Sequence, residues 1–223
     1  MNKPFQSQLG VFAKYWEPGQ VKTRLARDTN HEFAASVYRQ FIQATLETAT
    51  GIAQRSVLAF TPTDQSAEFL QCLPDGWTMV AQATGDLGQR MHAYFPDAHA
   101  HQIEKVVLIG SDSPHLPATL LEQAFAQLDV HQCVIGPALD GGYYLIGARN
   151  IVPPVFTDVD WSTDNVLQQT IAKLQDADIS YSLLPPWLDI DTIDDFRELQ
   201  RNLEHSGHWL CDKLNTLQQE FLS

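Results

Sequence analysis

Ser111-Asp112-Ser113-Pro114 directly follows the apolar, β-branched run Val106 to Ile109 and Gly110. A short run of this kind suits a strand buried on both faces in the middle of a mostly parallel sheet. The sequence therefore delivers a carboxylate just past a strand's carboxyl end, the edge of an open α/β sheet where ligands bind. An acid there has the chemistry to hold a hard divalent cation, which prefers oxygen ligands and bridges phosphate oxygens. The same Asp112 would also serve as a helix cap or in an Asx-turn before Pro114.

Lys22-Thr23-Arg24 follows a Pro18-Gly19 loop that leaves the first apolar run. Two cations and a hydroxyl at a helix start form a phosphate cradle beside free backbone N–H groups. Basic residues are disfavoured at that end of a helix, so their position in an acidic chain is informative; a solvated basic patch is the plainer reading. Asp140-Gly141-Gly142-Tyr143-Tyr144 combines an acid, a glycine turn and two tyrosines. Asp140 is the candidate catalytic carboxylate, contacting an acceptor sugar or the metal, and Gly141 and Gly142 let backbone approach a ligand. Asp-Gly-Gly is also simply a hairpin turn. Ser162 and Thr163, beside Trp161, are candidates to close over an acceptor, and either would equally cap the next helix. Asp191, alternating with Asp189 in L-D-I-D-T, is a second candidate metal ligand or an N-cap. Gly85-Asp86-Leu87-Gly88-Gln89-Arg90 would bring Asp86 or Arg90 towards the same crevice, or supply a cap and a surface arginine.

The elements that must position these groups alternate. Strands are predicted at 9–13, 56–60, 76–80, 106–109, 132–137, 143–147 and 181–184. Helices are predicted from Lys22 through about Thr50, after Thr61-Pro62-Thr63-Asp64 with Asp64 as cap, and at 89–95, 118–128, 163–174, 191–205 and 208–222. Strand–helix alternation over the first two-thirds predicts βαβ units and a parallel sheet. Nothing marks an internal boundary, so 1–223 reads as one domain, with a core at about 9–205 and a C-terminal helix in 206–223.

The balance of 14 basic against 27 acidic residues, net −13, argues against nucleic-acid or anionic-membrane binding. No apolar run approaches the ~18 residues of a membrane span. Residues 1–8 lack a signal-peptide layout. The 3 cysteines have no metal-ligand spacing, which fits a reduced, cytoplasmic setting. No H-x-x-x-H pair backed by an acid, G-x-G-x-x-G after a strand, P-loop or G-x-S-x-G elbow is present. Zinc hydrolysis, dinucleotide-dependent dehydrogenation, P-loop NTP hydrolysis and α/β-hydrolase chemistry are thus unsupported.

Taken in order, P-G-Q-V-K-T-R-L-A (18–26), V-L-I-G-S-D-S-P-H-L-P (107–117), G-P-A-L-D-G-G-Y-Y-L-I-G (136–147), W-S-T-D-N-V-L (161–167) and D-I-D-T-I-D-D-F (189–196) resemble one family. It is the bacterial family of GT-A-like, nucleotide-diphospho-sugar-transferase-like proteins long catalogued as a domain of unknown function. Some members are labelled arsenosugar-biosynthesis glycosyltransferases. The resemblance implies an α/β, Rossmann-like GT-A fold, with a mostly parallel sheet of about seven strands and helices on both faces. It also implies a nucleoside-diphosphate-activated donor at the strand ends. Asp112 matches the metal-binding acid of GT-A folds, with Mg²⁺ or Mn²⁺ as cofactor. Lys22 and Arg24 match a basic motif shared with nucleotidyltransferases that build cofactor precursors. Thr23 and Ser111 stand in these motifs as further candidate phosphate contacts. Two departures stand out. Asp112-Ser113-Pro114 is not a full D-x-D, so the metal has one carboxylate here or recruits Asp140 or Asp191. Tyr15-Trp16-Glu17 stands where small and proline-rich residues are expected.

The leading reading is a metal-dependent glycosyltransferase acting on a sugar nucleotide and a small-molecule acceptor. A nucleotidyltransferase releasing pyrophosphate from an NTP is the rival, and a catalytically silent nucleotide-binding module is the third reading. The final segment, 206–223, is a candidate homodimer contact.

Overall fold

A computed structural model describes residues 6–204 and 206–222. Parts of the polar amino-terminal stretch, the helix end expected at His205 and the last residue lie outside the described residues. The strands are β1 (Ser7–Lys14), β2 (Arg55–Thr61), β3 (Thr78–Ala81), β4 (Lys105–Ile109), β5 (Cys133–Pro137), β6 (Tyr143–Arg149) and β7 (Tyr181–Leu183). Between and after them run α1 (Thr23–Arg27), α2 (His31–Ala49), α3 (Ser66–Leu70), α4 (Leu87–Ala100), α5 (Ala118–Gln127), α6 (Val166–Asp176), α7 (Ile193–Glu204) and α8 (Trp209–Leu222).

The strands form one seven-stranded sheet in the order β3-β2-β1-β4-β6-β5-β7. All neighbouring pairs are parallel except β4–β6 and β5–β6. Alternating residues of β4 explain the two helical layers. Val107 and Ile109 join the cluster that contains Leu25, Phe41, Leu121 and Phe196, under α1, α2, α5 and α7. Val106 and Leu108 face the other way, into the cluster of Met91, Phe95 and Leu174 under α4 and α6. A strand covered on both faces has to be apolar throughout, which is why this stretch reads as a continuous run.

The reversed strand decides where the chemistry lies. β5 and β6 are a hairpin, and β6 inserts between β4 and β5, so the turn at 138–142 emerges at the carboxyl end of β5. That is the edge at which β4 ends, beside Asp112. Chain order alone separates residues 112 and 140, while topology puts them at one edge.

Several local expectations change. The long first helix is two helices, because Asn30 starts α2 afresh: its side chain accepts from the Phe33 amide at 2.7 Å. Asp64 lies in a 3₁₀ turn, and α3 begins without a side-chain cap. Neither Ser162 nor Thr163 caps α6; Asn165 occupies the cap position, with no side-chain cap bond. α8 runs over Trp209–Leu222, as expected for 208–222, and packs on α2. Leu210 and Leu214 are fully buried in the α2-side core, and Trp209 Nε1 donates to Glu47 Oε2 at 2.6 Å.

Gly10 on β1 lies under Tyr94 of α4, whose hydroxyl accepts from Gln8 Nε2 at 2.8 Å. A Cβ at position 10 would overlap that hydroxyl and come within 2.6 Å of the ring carbon Cζ. Gly10→Ala is therefore expected to destabilise the fold by about 2 kcal/mol through overpacking, read as a lower urea midpoint at unchanged m-value; an unchanged midpoint would show that α4 shifts freely.

Candidate functional site

The site begins with Lys22. After β1 the chain turns through Pro18-Gly19, with the Gln20 amide donating to the Glu17 carbonyl at 3.0 Å. It enters the short α1 from Lys22 in the left-handed backbone conformation, φ 45° and ψ 43°. That region is uncommon for a residue with a Cβ and costs about 1 kcal/mol or more unless the surroundings enforce it. Here the surroundings are two carboxylates. The Lys22 side chain is 2% exposed, and its Nζ lies 2.5 Å from Asp112 Oδ1 and 2.9 Å from Asp191 Oδ1. Tyr38 and Phe41 of α2 stand beneath it, with ring centroids 5.8 and 5.7 Å from Nζ. Burial alone pushes the ammonium's pKa down. Asp112 and Asp191 together outweigh that, holding it above the usual lysine range. Lys22 is therefore charged at neutral pH.

Asp191 reaches this position because residues 187–190 cross the strand ends in extended form. The Trp187 amide donates to the Pro137 carbonyl at 2.9 Å, and the Ile190 amide to the Asp112 carbonyl at 2.9 Å. Ile190 is fully buried, and strand alternation turns Asp189 and Asp191 together to the other side. Asp191 is not the helix cap. Asp195 Oδ2 accepts from the Asp191 and Thr192 amides, and Thr192 Oγ1 accepts from the Asp195 amide, so Thr192 and Asp195 start α7. The Asp191 carboxylate is left for Lys22 and for Arg24, whose Nη1 is 3.6 Å from Asp191 Oδ2. Arg24's side chain is 62% exposed, and such a pair contributes little to stability. Asp189 accepts from Ser113 Oγ at 2.5 Å. Burial first, and then the neighbouring Asp112 charge, push its carboxyl from 3.8 up to about 6.

These groups border an open cleft of about 760 Å³ over the carboxyl ends of the strands, within the range of small-molecule sites. Of the residues singled out from sequence, Arg24, Arg90, Asp112, Asp140, Gly142, Trp161, Ser162, Thr163 and Asp191 line it, whereas Asp86 caps α4. Lys22, Thr23, Ser111 and Gly141 are not among the lining residues. Lys22 lies behind the carboxylates, and Thr23 is exposed. The buried Ser111 places its Oγ 2.7 Å from the Tyr38 hydroxyl, which also accepts from the Lys14 amide at 3.3 Å. That link ties the ends of β1 and β4 to α2, and burial raises the Tyr38 phenol to about 12. Gly141 has φ +90°, and a Cβ there would overlap the Asp164 backbone. Its carbonyl accepts from the Leu167 amide at 2.9 Å, so it fastens the hairpin to the start of α6.

Asp140 Oδ1 accepts from the Gly142 amide at 3.0 Å, which leaves its second oxygen for the cleft. Trp161 meets Tyr143 edge-on at 6.3 Å and forms an aromatic wall. Thr163 Oγ1 donates to the Asp160 carbonyl at 2.7 Å. Residues to which the sequence reading gave no role of their own also belong here. Asp189 and Ser113 line the cleft beside Asp112; the alternation around buried Ile190 was the signal for Asp189. Tyr38 gave no signal, because an aromatic on a helix's inner face reads as ordinary core.

Among the described residues, no group of three or more His, Cys, Asp or Glu side chains makes a ready metal cage. The donor set nevertheless fits a hard cation. Mg²⁺ commonly takes one or two carboxylates and completes its shell with water and substrate phosphate. Asp112 and Asp191 supply oxygen only, with side chains 46% and 35% exposed, and one shared ammonium leaves the group net negative.

The sheet order, the reversed sixth strand and the cleft at the strand ends define a nucleotide-diphospho-sugar-transferase fold. The chain belongs to the family described as "Uncharacterized protein conserved in bacteria (DUF2064)", which matches residues 44–163. A solved relative from Desulfovibrio desulfuricans G20, provisionally named a nucleotide-diphospho-sugar transferase, is 33% identical. It superposes with a TM-score of 0.88 over 97% of this chain and 98% of its own. More distant likenesses show the fold alone. CMP:2-keto-3-deoxy-manno-octonic acid synthetase complexed with CTP is 10% identical, with a TM-score of 0.59 over 91% of this chain and 100% of that one. The 4-diphosphocytidyl-2C-methyl-D-erythritol synthase of Anaerococcus prevotii DSM 20548 is 13% identical, with a TM-score of 0.61 over 89% and 96%. No curated protein matches the chain. Among the described residues, no helix is long and apolar enough to cross a membrane.

Two outcomes follow from the charges. Lys22→Met leaves Asp112 and Asp191 facing each other without their cation. It is expected to cost about 2 kcal/mol at pH 7, below the 3–5 of a fully buried pair because both acids reach solvent. The loss should largely disappear when Asp112→Asn and Asp191→Asn are combined with it; a loss that persists in the triple variant would mean that packing, not charge, is what the lysine supplies. Asp189, with its folded pKa raised, favours the neutral form in the fold. Its contribution is therefore complete below about 3.8 and is lost as pH rises through about 6. Metal-free Asp189→Asn should accordingly gain stability relative to the parent between pH 4 and pH 7 in urea titrations, and parallel profiles would refute the assignment.

Proposed function

We propose that this chain is a metal-dependent glycosyltransferase that takes a nucleoside-diphosphate sugar as donor. The observation that carries the reading is the meeting of Asp112 and Asp191 at one lip of the cleft, locked by Lys22 and flanked by Arg24. Two carboxylates with a shared ammonium and an exposed arginine suit a diphosphate approached through a divalent cation, Mg²⁺ or Mn²⁺, held by Asp112 and Asp191. Such an ion, when bound, supplies positive charge to the departing diphosphate. The name carried by the Desulfovibrio desulfuricans relative agrees with this class.

The chain's own residues do the rest. Lys22 fixes the two carboxylates at one spacing, so little reorganisation is required when the substrate arrives. Arg24, already beside Asp191 and open to solvent, swings to the phosphate oxygens. Thr23, exposed beside Arg24 but outside the cleft lining, would reach a phosphate oxygen only at its edge. Ser111, through Tyr38, keeps the β4 end seated so that Asp112 stays aimed. Across the cleft, Asp140 holds an acceptor hydroxyl and takes up its proton, while Gly142, Ser162 and Thr163 shape the acceptor side. Gly141 holds the hairpin to the start of α6. The acceptor is a small molecule, and residues 1–223 act as one catalytic domain.

A thermal-shift screen of UDP-, GDP-, ADP-, CDP- and dTDP-sugars, with and without Mn²⁺, tests the reading. One donor is expected to raise the melting temperature only with the metal, and Asp112→Asn should abolish that rise. With that donor and an acceptor, nucleoside diphosphate should be released, and Asp112→Asn should lower the rate roughly a hundredfold or more. Equal shifts in both proteins would remove the metal role from Asp112. Pyrophosphate release from an NTP would move the activity to nucleotidyl transfer.

A further inference from the structure

Arg90 lies in the first turn of α4, where a cation opposes the helix dipole, and it lines the cleft. Its guanidinium is pinned. Nη1 donates to Gln82 Oε1 at 2.9 Å and Nε to the Asp86 carbonyl at 3.3 Å. Gln82 is itself fixed, because its Nε2 donates to the carbonyls of Ala13 at 3.2 Å and Ala59 at 2.8 Å, near the ends of β1 and β2. Its amide oxygen therefore has one direction to point, towards Arg90.

Both of these acceptors are neutral. Among the described residues Arg90 takes part in no ion pair. Asp97, which borders a small adjoining hollow with Arg90, is not within pairing distance, and Asp86 spends its carboxylate on the Gln89 amide. A guanidinium has five N–H donors, so three remain after the two contacts. In a chain of net charge −13, an immobilised, unanswered arginine in a cleft is a preorganised anion receptor. It also approaches from the layer opposite Arg24, since α4 packs on the Phe95 face of the sheet and α1 on the Phe41 face.

We infer that Arg90 is an oxyanion-binding residue of the cleft, gripping phosphate or carboxylate oxygens of a substrate from the wall opposite Arg24, with Gln82 as its positioning residue. This rests on reading the cleft as a substrate site, and needs neither the metal nor glycosyl transfer. The probes are AMP, CMP, GMP, UMP and dTMP, each compared with its nucleoside, and glucose 1-phosphate and glycerate compared with glucose and glycerol. All are titrated in EDTA by calorimetry against the full chain. At least one anionic probe should bind more tightly than its neutral partner, and Arg90→Gln should reduce that advantage roughly ten- to a hundredfold. Arg90→Lys, which keeps the charge but loses the fork, should retain part of it and serves if the glutamine variant folds poorly. A nucleotide response assigns the anion to the donor, and a response to glucose 1-phosphate or glycerate assigns it to the acceptor; either supports the inference. Because every titration is run in EDTA, its outcome is independent of the metal assigned to Asp112 and Asp191. An undiminished advantage in the Arg90 variants, or no anionic probe exceeding its neutral partner in the parent protein, would overturn the inference.

Discussion

The Lys22 ammonium, held between Asp112 and Asp191, is the contact on which the functional end of this molecule depends. It joins three segments that share no local contact in the chain: the loop after β1, the end of β4 and the extended run before α7. Burying an ammonium is costly, and a buried ion pair is often no better for stability than apolar packing would be. What this one achieves is positional. The desolvation cost of Lys22 is offset only while both acids remain within reach, so each loop is held by the other two. The left-handed backbone at Lys22 is a further cost that the same pairing offsets.

The sheet makes that convergence affordable in length of chain. Parallel strands bring their carboxyl ends to one edge, but each needs a helical crossover to return. The β5–β6 hairpin adds Asp140 to the edge with a turn of a few residues, and the extended 187–190 stretch adds Asp189 and Asp191 by pairing with backbone already there. The polar rim is thus built from main-chain hydrogen bonds to Pro137, Leu139 and Asp112, not from mobile loops. Carboxylates that would repel one another are kept at fixed places by backbone that is satisfied independently of them.

Much of this was legible in the residues. The β-branched run before Asp112, the apolar faces of the helices and the alternation of elements carry the parallel sheet, because burial on both sides leaves a pattern that solvent cannot blur. The hairpin at Asp140-Gly141-Gly142 was legible from turn chemistry. The misreadings share a cause: one residue type serving two purposes. Ser162 and Thr163 resemble caps, yet α6 starts later and Thr163 bonds within its own loop. Asp191 resembles a cap, while Thr192 with Asp195, a Thr-x-x-Asp arrangement close to a capping box, does that work. Lys22 and Arg24 read as equals from spacing, and only three-dimensional burial separates an enclosed lysine from an exposed arginine. Tyr38 has no marker in the sequence, since its hydroxyl matters only because Ser111 and Lys14 happen to end beside it.

The acidity of the whole chain and the cationic groups at its cleft are compatible because they act over different distances. At physiological ionic strength charges separated by more than about 8 Å are largely screened, so the net −13 governs how the molecule meets distant polyanions more than what its cleft accepts. Within the cleft the count is local. Two carboxylates share Lys22, Arg24 is partly answered by Asp191, Arg90 is answered by neutral oxygens alone, and Lys14, Asp140, Asp164 and Asp189 complete the charged lining. The carboxylate lip thus favours a cation, while the arginines on either side favour an anion. A ligand with both demands, an anion that brings its own countercation, satisfies the two lips at once, whereas a bare cation or a bare anion satisfies only one.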